Sequence, residues 1–258
     1  MGIAFNENFF RHLNDSRIKD GLTKSKTYAI LEKVVRIYGV KCIIFLLEYT
    51  IGFILTLPIP VYTTVIYLLI THIPGSPGFI GMYIRSIYYR RKLKKMESNV
   101  LIDQCVFFAF PKTVELREFS YIDKNVMIMS KTCKVGRRVH IAPRVFISGG
   151  GHFEIEDYAC IATGSNVITS TEVLKDGARC SGPMVDPVQR NVFRGKVLIK
   201  KDVFIGANVT ILPGITVAQG SVAGAGITLS KDTEPWGIYL GSKTTLVASR
   251  QPVKWEDN

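Results

Sequence analysis

Residues 205–230 read IGANVTILPGITVAQGSVAGAGITLS, and this stretch decides the fold. It has too many glycines for a helix and no turn pair set for a hairpin. An aliphatic or small residue still returns at every sixth place: Ile205, Ile211, Val217, Ala223 and Leu229, continuing from Ile199. Two before each stand Val203, Val209, Ile215, Ser221 and Ile227. Shorter runs with the same step lie upstream, at Leu116, Ile122 and Ile128, at Val135, Ile141 and Ile147, and at Ile155, Ile161 and Val167. Slips of one or two residues separate the runs.

A unit of six holds one short extended piece and one corner. Three units close a triangular lap of about 18 residues, with the sixth-place side chain inside, and stacked laps bury like residues in ladders. Gly, Ala, Asn and Asp suit the tight backbone at the corners. The pattern therefore predicts a parallel β-helix.

The remainder of the chain is unlike this. Residues 40–73, VKCIIFLLEYTIGFILTLPIPVYTTVIYLLITHI, are its most apolar part, and Pro58 and Pro60 split them into arms at 40–57 and 61–73. A spanning helix needs about 20 apolar residues, so neither arm is a comfortable span, and Glu48 interrupts the first. Two arms meeting at a Pro-x-Pro tip predict a re-entrant or interfacial hairpin. On 26–38, Ile30, Leu31, Val34, Val35 and Tyr38 share one helical face. Past the second arm, FIGMYIRSIYYRRKLKKM supplies Arg85, Arg90, Arg91, Lys92, Lys94 and Lys95 for anionic headgroups. The competing reading is a helical layer buried in a soluble oligomer. The division is thus 1–97 helical and membrane-associated, 98–250 coil with a loop insert at 172–196, and 251–258 tail.

The 258 residues are 47% hydrophobic, enough for a large core, and the net charge of +12 favours anionic partners. The basic residues cluster beside the apolar arms, without an aromatic-interleaved patch, which argues against nucleic acid. Five cysteines without a CxxC pair point to reduced thiols rather than a disulfide framework or a zinc site, with Cys133 and Cys160 as core fillers. The N-terminus has no secretory-signal pattern, and Asn6 stands where myristoylation needs Ser or Thr.

The stretch VFIGANVTILPGITVAQGSVAGAGITLSKDTEPWGIYLGSK resembles the C-terminal part of hexapeptide-repeat acyltransferases with a left-handed parallel β-helix. With GPMVDP and VFRGKVLIKK before it, the chain is similar to the bacterial sugar and polysaccharide O-acetyltransferases of that superfamily, over about residues 98–250 and more weakly over PGSPGFIGMYIRSIYYRR. The resemblance implies the left hand and a homotrimer, with acetyl-CoA as co-substrate between neighbouring prisms and no metal. It places Gly206, Ala207, Gly224 and Ala225 at corners along the pantetheine arm, and Lys231 near the CoA phosphates. Where the family has G-x-PAK near the adenine, this chain has GSKTT, Gly241 to Thr245, with Lys243 and Arg250 nearby.

Acetyl transfer to a hydroxyl needs a base, an oxyanion donor and a site that holds both substrates. Histidine, titrating near neutrality, is the best base. Of His12, His72, His140 and His152, the first two lie outside the coils. His140 precedes the sixth-place Ile141 and is expected at a coil corner. His152 lies in SGGGHFEIED, where the step slips from six to eight. The insert has no histidine but starts with Glu172 and Asp176. The expected base is His140, then His152, with Asp157 or Glu172 orienting the ring. Arg179, Arg190 and Arg194 of the insert are candidates for a diphosphate or acidic sugar. The expected function is O-acetylation of a cell-surface polysaccharide or its lipid-linked precursor, at the cytoplasmic face of the bacterial inner membrane. Alternatives are N-acylation of a nucleotide-linked amino sugar and a non-catalytic β-helix scaffold.

Overall fold

A computed structural model describes residues 3–19, 22–72, 80–175, 178–179, 182–184, 186–241 and 245–249. The sixth-place residues line the inside of a triangular prism of about seven turns. Each lies in register with its counterpart one lap on. Face I stacks Met96, Leu116, Val135, Ile155, Ile199 and Val217. Face II stacks Ile102, Ile122, Ile141, Ile161, Ile205, Ala223 and Tyr239. Face III stacks Phe108, Ile128, Ile147, Val167, Ile211 and Leu229. Most of these are fully buried, as are the residues two places before them, including Ser120, Cys133, Ser165 and Ser221. Burying an Ile side chain contributes roughly 1.5–3 kcal/mol, so a locally weak pattern becomes strong by repetition.

The corners demand left-handed backbone, and the sequence meets it mostly without glycine. Asn99, Phe119, Arg138, Tyr158 and Asp202 take φ of 54–61° at the corner between faces I and II. Cys105, Asn125, Arg144 and Asn208 do so between faces II and III. Each costs about 1–2 kcal/mol outside glycine, and the parallel hydrogen bonds of neighbouring laps hold them there.

The slips in the repeat all fall on the third corner. Face III leads to face I through Phe108–Leu116, Ile128–Val135 and Ile147–Ile155, steps of seven or eight, whereas Ile211–Val217 keeps six. The insert leaves from this same corner, as an antiparallel ribbon of Ser170–Glu172 with Val192–Arg194.

Among the described residues the N-terminal region has five helices: α1 (Glu7–Lys19), α2 (Lys26–Arg36), α3 (Tyr38–Leu55), α4 (Pro60–His72) and α5 (Ile80–Lys92). Proline ends the apolar run where expected. The single amphipathic face expected over 26–38 is instead interrupted, because Ile37 is extended and Tyr38 opens a new helix. α5 is the hinge of the assembly: α3 and α4 pack on it, and it packs on the first coil.

Part of the basic run turns inward. Arg85 is fully buried, its guanidinium donating to the carbonyls of Ile102 at 2.8 Å and Ile70 at 3.4 Å, and it pairs with Asp103. Arg90 donates to Ile3 O and lies 4.0 Å from Glu48. Glu48 in turn accepts from Ala4 N and from the Tyr83 hydroxyl. Arg91 lies over the rings of Tyr49 and Phe53. Lys94 and Lys95 pair with Glu115 and Glu97 on face I. Arginine spaced along an amphipathic helix reads as a surface charge until the partners on other elements are known.

Candidate active site

The prism separates the sequence candidates by face. His140 is in the strand His140–Ile141 and points outward from face II, so it is not at a corner as expected. Register fixes its neighbours: Tyr121 stands on the rung before it and Cys160 on the rung after. The Tyr121 and His140 rings stack at 5.1 Å and 8°. Cys160 is therefore partly exposed on this outer row, not a core filler, whereas Cys133 is fully buried and burial pushes its thiol well up.

The carboxylate beside the ring is Asp123, with Oδ2 3.3 Å from His140 Nε2. The His140 side chain keeps 43% of its exposure and Asp123 only 12%. Nδ1 has no hydrogen-bond partner among the described residues. A ring held through Nε2 by a carboxylate leaves Nδ1 turned to where a substrate hydroxyl could meet it.

This arrangement corrects two assignments. Asp157 does not meet His140; its Oδ1 accepts from Arg117 at 3.3 Å and from Arg137 N at 2.7 Å, and its Oδ2 accepts from Arg137 Nε at 3.1 Å. Glu172 pairs with Arg190 at the root of the insert. Two arginines hold Asp157 in the coil and one holds Glu172 in the ribbon, rather than in a histidine site.

His152 lies elsewhere, at the corner between faces III and I, and face II is opposite that corner. It opens the strand His152–Ile155, in register with Thr132 and Lys196, and Nδ1 is 2.8 Å from Thr132 Oγ1. Arg194 runs past Gly150 beside it, and a Cβ on Gly151 would strike the carbonyls of Thr169 and Gly195. Arg190 and Arg194 thus sit at the stem of the insert, with Arg179 N donating to Gln189 O further out. One subunit cannot bring His140 and His152 to a common substrate.

The candidate cofactor corner follows face II. Gly206 and Ala207 succeed Phe204–Ile205, and Gly224 and Ala225 succeed Val222–Ala223 one lap on. A Cβ on Gly206 would meet Ala225 N at 2.7 Å, so the two laps approach too closely there for any side chain. His140 is two rungs before Phe204 on the same face, about 10 Å along the prism axis. Lys231 is exposed beyond the last face III strand, at the other corner with His152. Lys243 and Arg250, like Asp176, lie outside the described residues. No group of three or more His, Cys, Asp or Glu gathers to hold a metal among the described residues.

No family model matches the chain. The galactoside O-acetyltransferase of Escherichia coli (strain K12) is 28% identical over 144 residues, 55% of this chain and 57% of that protein. A probable macrolide acetyltransferase from Lysinibacillus sphaericus is 36% identical over 72 residues, 28% and 40% of the two chains. The chain spans about half the length of the curated relatives it matches. Among solved structures, a point mutant of the Bacillus cereus N-acyltransferase AntD, in complex with dTDP and coenzyme A, superimposes with TM-score 0.59 at 26% identity. It covers 63% of this chain and 87% of its own. These likenesses and the coil fit the hexapeptide-repeat acyltransferase superfamily. A hexapeptide-repeat containing acetyltransferase from Vibrio cholerae shares the fold, with TM-score 0.51 at 18% identity over 72% of this chain and 86% of its own. The prism is accordingly the left-handed β-helix.

Sequence reasoning missed Tyr121 and Asp123. The signal was present: Ile122 and Ile141 are successive rungs of one ladder, so the residues preceding them, Tyr121 and His140, must be neighbours.

Proposed function

We propose that the protein is an acyl-CoA-dependent acyltransferase that transfers an acetyl group to a sugar hydroxyl, in a cell-surface glycan or its lipid-linked precursor. The observation that carries this reading is the His140–Asp123 pair on the face that runs into the Gly206, Ala207, Gly224 and Ala225 corner. The acetyltransferase relatives support the reaction class. His140 Nδ1 removes the hydroxyl proton as the oxygen adds to the thioester carbonyl. Collapse of the adduct breaks the C–S bond, and the imidazolium returns the proton to the departing sulfur, leaving an ester and a thiol. Lys243 and Arg250 are proposed contacts for CoA phosphates, whereas Lys231 stands at the corner away from this groove.

The reading includes a homotrimer. Phe107, Met127 and Phe204 point outward from faces III and II and are 37–44% exposed in one chain, whereas face I is covered by ion pairs. It also places the helical region on the cytoplasmic face of the bacterial inner membrane. α3 is supported in that role by its apolar 18-residue window, of which 11% is buried. Arg179, Arg190 and Arg194 are assigned to the acceptor from the neighbouring subunit's side of the groove. A second reading, N-acylation of a nucleotide-linked amino sugar, is favoured by the likeness to AntD.

Thiol release from acetyl-CoA, measured with hydroxyl and amino sugars as acceptors, tests both. A product cleaved by mild base is the expected ester; a base-stable amide selects the second reading. His140→Ala is expected to lower the rate at least about 100-fold, with His152→Ala within about twofold of the parent. Thiol release that no acceptor stimulates rejects the enzyme reading.

A further inference from the structure

The His140 ring rests on groups that the transfer chemistry never touches. The Tyr121 hydroxyl lies beside two carboxylates: it donates to Asp103 Oδ2 at 3.1 Å, and Asp123 is within its reach as well. Burial, then Asp123 and Asp103, push this phenol well up, so it keeps its proton. Asp123 is also the acid that meets the imidazole. One phenolic proton cannot serve both carboxylates fully. The carboxylate that receives it has less charge left for other partners.

Asp103 is fixed so as to receive it. Its Oδ1 accepts from Gln104 N at 2.7 Å and from Arg85 Nη2 at 3.3 Å, which leaves Oδ2 for the phenol. Arg85 is itself immobilised by the carbonyls of Ile102 and Ile70. The line of contacts therefore runs from α5, through a buried guanidinium, an acid and a phenol, to the ring on face II.

We infer that Arg85, Asp103 and Tyr121 are positioning residues for His140, holding the phenolic proton on Asp103 so that Asp123 keeps its charge for the imidazole. The inference rests on the reading of His140 as the base. It also makes the helical region part of the active site, because Arg85 is carried by α5. Among the described residues, the titratable groups facing the ring are Asp123, Tyr121 and Cys160 on the next rung.

Asp103→Asn tests it with little change of shape. The amide oxygen still accepts from Arg85, while the amide N–H₂ donates to the Tyr121 oxygen and turns the phenolic proton towards Asp123. The titration midpoint of His140 is read by histidine-selective NMR of the full chain, with its resonance assigned from its loss in His140→Gln. A carboxylate favours the imidazolium, so sharing Asp123 is expected to lower the midpoint by roughly half a pH unit. Adding Tyr121→Phe removes the competing proton and is expected to restore most of that shift. An unmoved midpoint in Asp103→Asn, or a double variant that stays shifted, overturns the inference. The readout needs no turnover, so full activity in His140→Gln would reject the base assignment separately from the positioning result.

Discussion

The two halves of the molecule differ in what they leave on the outside. In the coils the aliphatic ladders are inside and Lys94–Glu115, Lys196–Glu154 and Lys200–Glu156 lie outside in water. In the helical region Arg85 and Glu48 are buried, while Leu46, Leu47, Leu68 and Leu69 are each more than half exposed. A buried charge is costly unless paired and hydrogen-bonded, and here Arg85 and Glu48 are. The difference is that face I of the coils carries ion pairs on its outside, whereas α3 and α4 carry exposed leucines. That contrast is the ground of the membrane proposal.

The largest test of the comparison is Arg85→Ala. It strands Asp103 and two carbonyls in the seam between helix and coil and is expected to cost about 3–5 kcal/mol. Thermal unfolding that falls by less than about 1 kcal/mol would show the inward charge to be incidental. Ile141→Ala removes one step of the face II ladder and is expected to cost about 3 kcal/mol by the same measurement. A smaller loss would mean that the laps collapse around a gap. Leu47→Asn sharpens the contrast from outside. Folding stability is expected to stay within about 0.5 kcal/mol, while partition onto anionic vesicles falls about tenfold; unchanged partition removes α3 from the proposed membrane surface. The smallest effect is expected from Lys94→Ala, whose exposed pair with Glu115 contributes about 0–0.5 kcal/mol.

Much of the coil domain was legible because its periodicity is set by short-range geometry. The step of six located the inner residues from Leu116 to Leu229. What reading the runs separately concealed was that all slips fall on one corner, a fact of register between laps. The site was less legible. His140 was named, but its partner is Asp123 rather than Asp157 or Glu172, because arginines from adjacent laps and from the insert claim those two acids. Asp123 precedes His140 by one lap, and only a count across the slip brings them together.

The helical region was legible in its breaks and misleading in its charges. Pro58 and Pro60 ended α3 and began α4 through proline's own restrictions. The basic run of α5 looked like a solvated or lipid-facing stripe, yet Arg85 and Arg90 point into the body. Helical periodicity can say which residues share a face, but not what that face meets.

The sequence by itself determined the triangular coil, its laps, its inner ladders and the point where the insert leaves, since each follows from a repeated six-residue step and steric rules local to the chain. Only the tertiary structure decided that His140 leans on Tyr121 and Asp123, that His152 stands on the far side of the prism, and that an arginine of α5 is buried against the first coil. Those are contacts between residues one lap or one element apart, and a hydrogen bond or ion pair is set by where two atoms meet in space rather than by their separation along the chain.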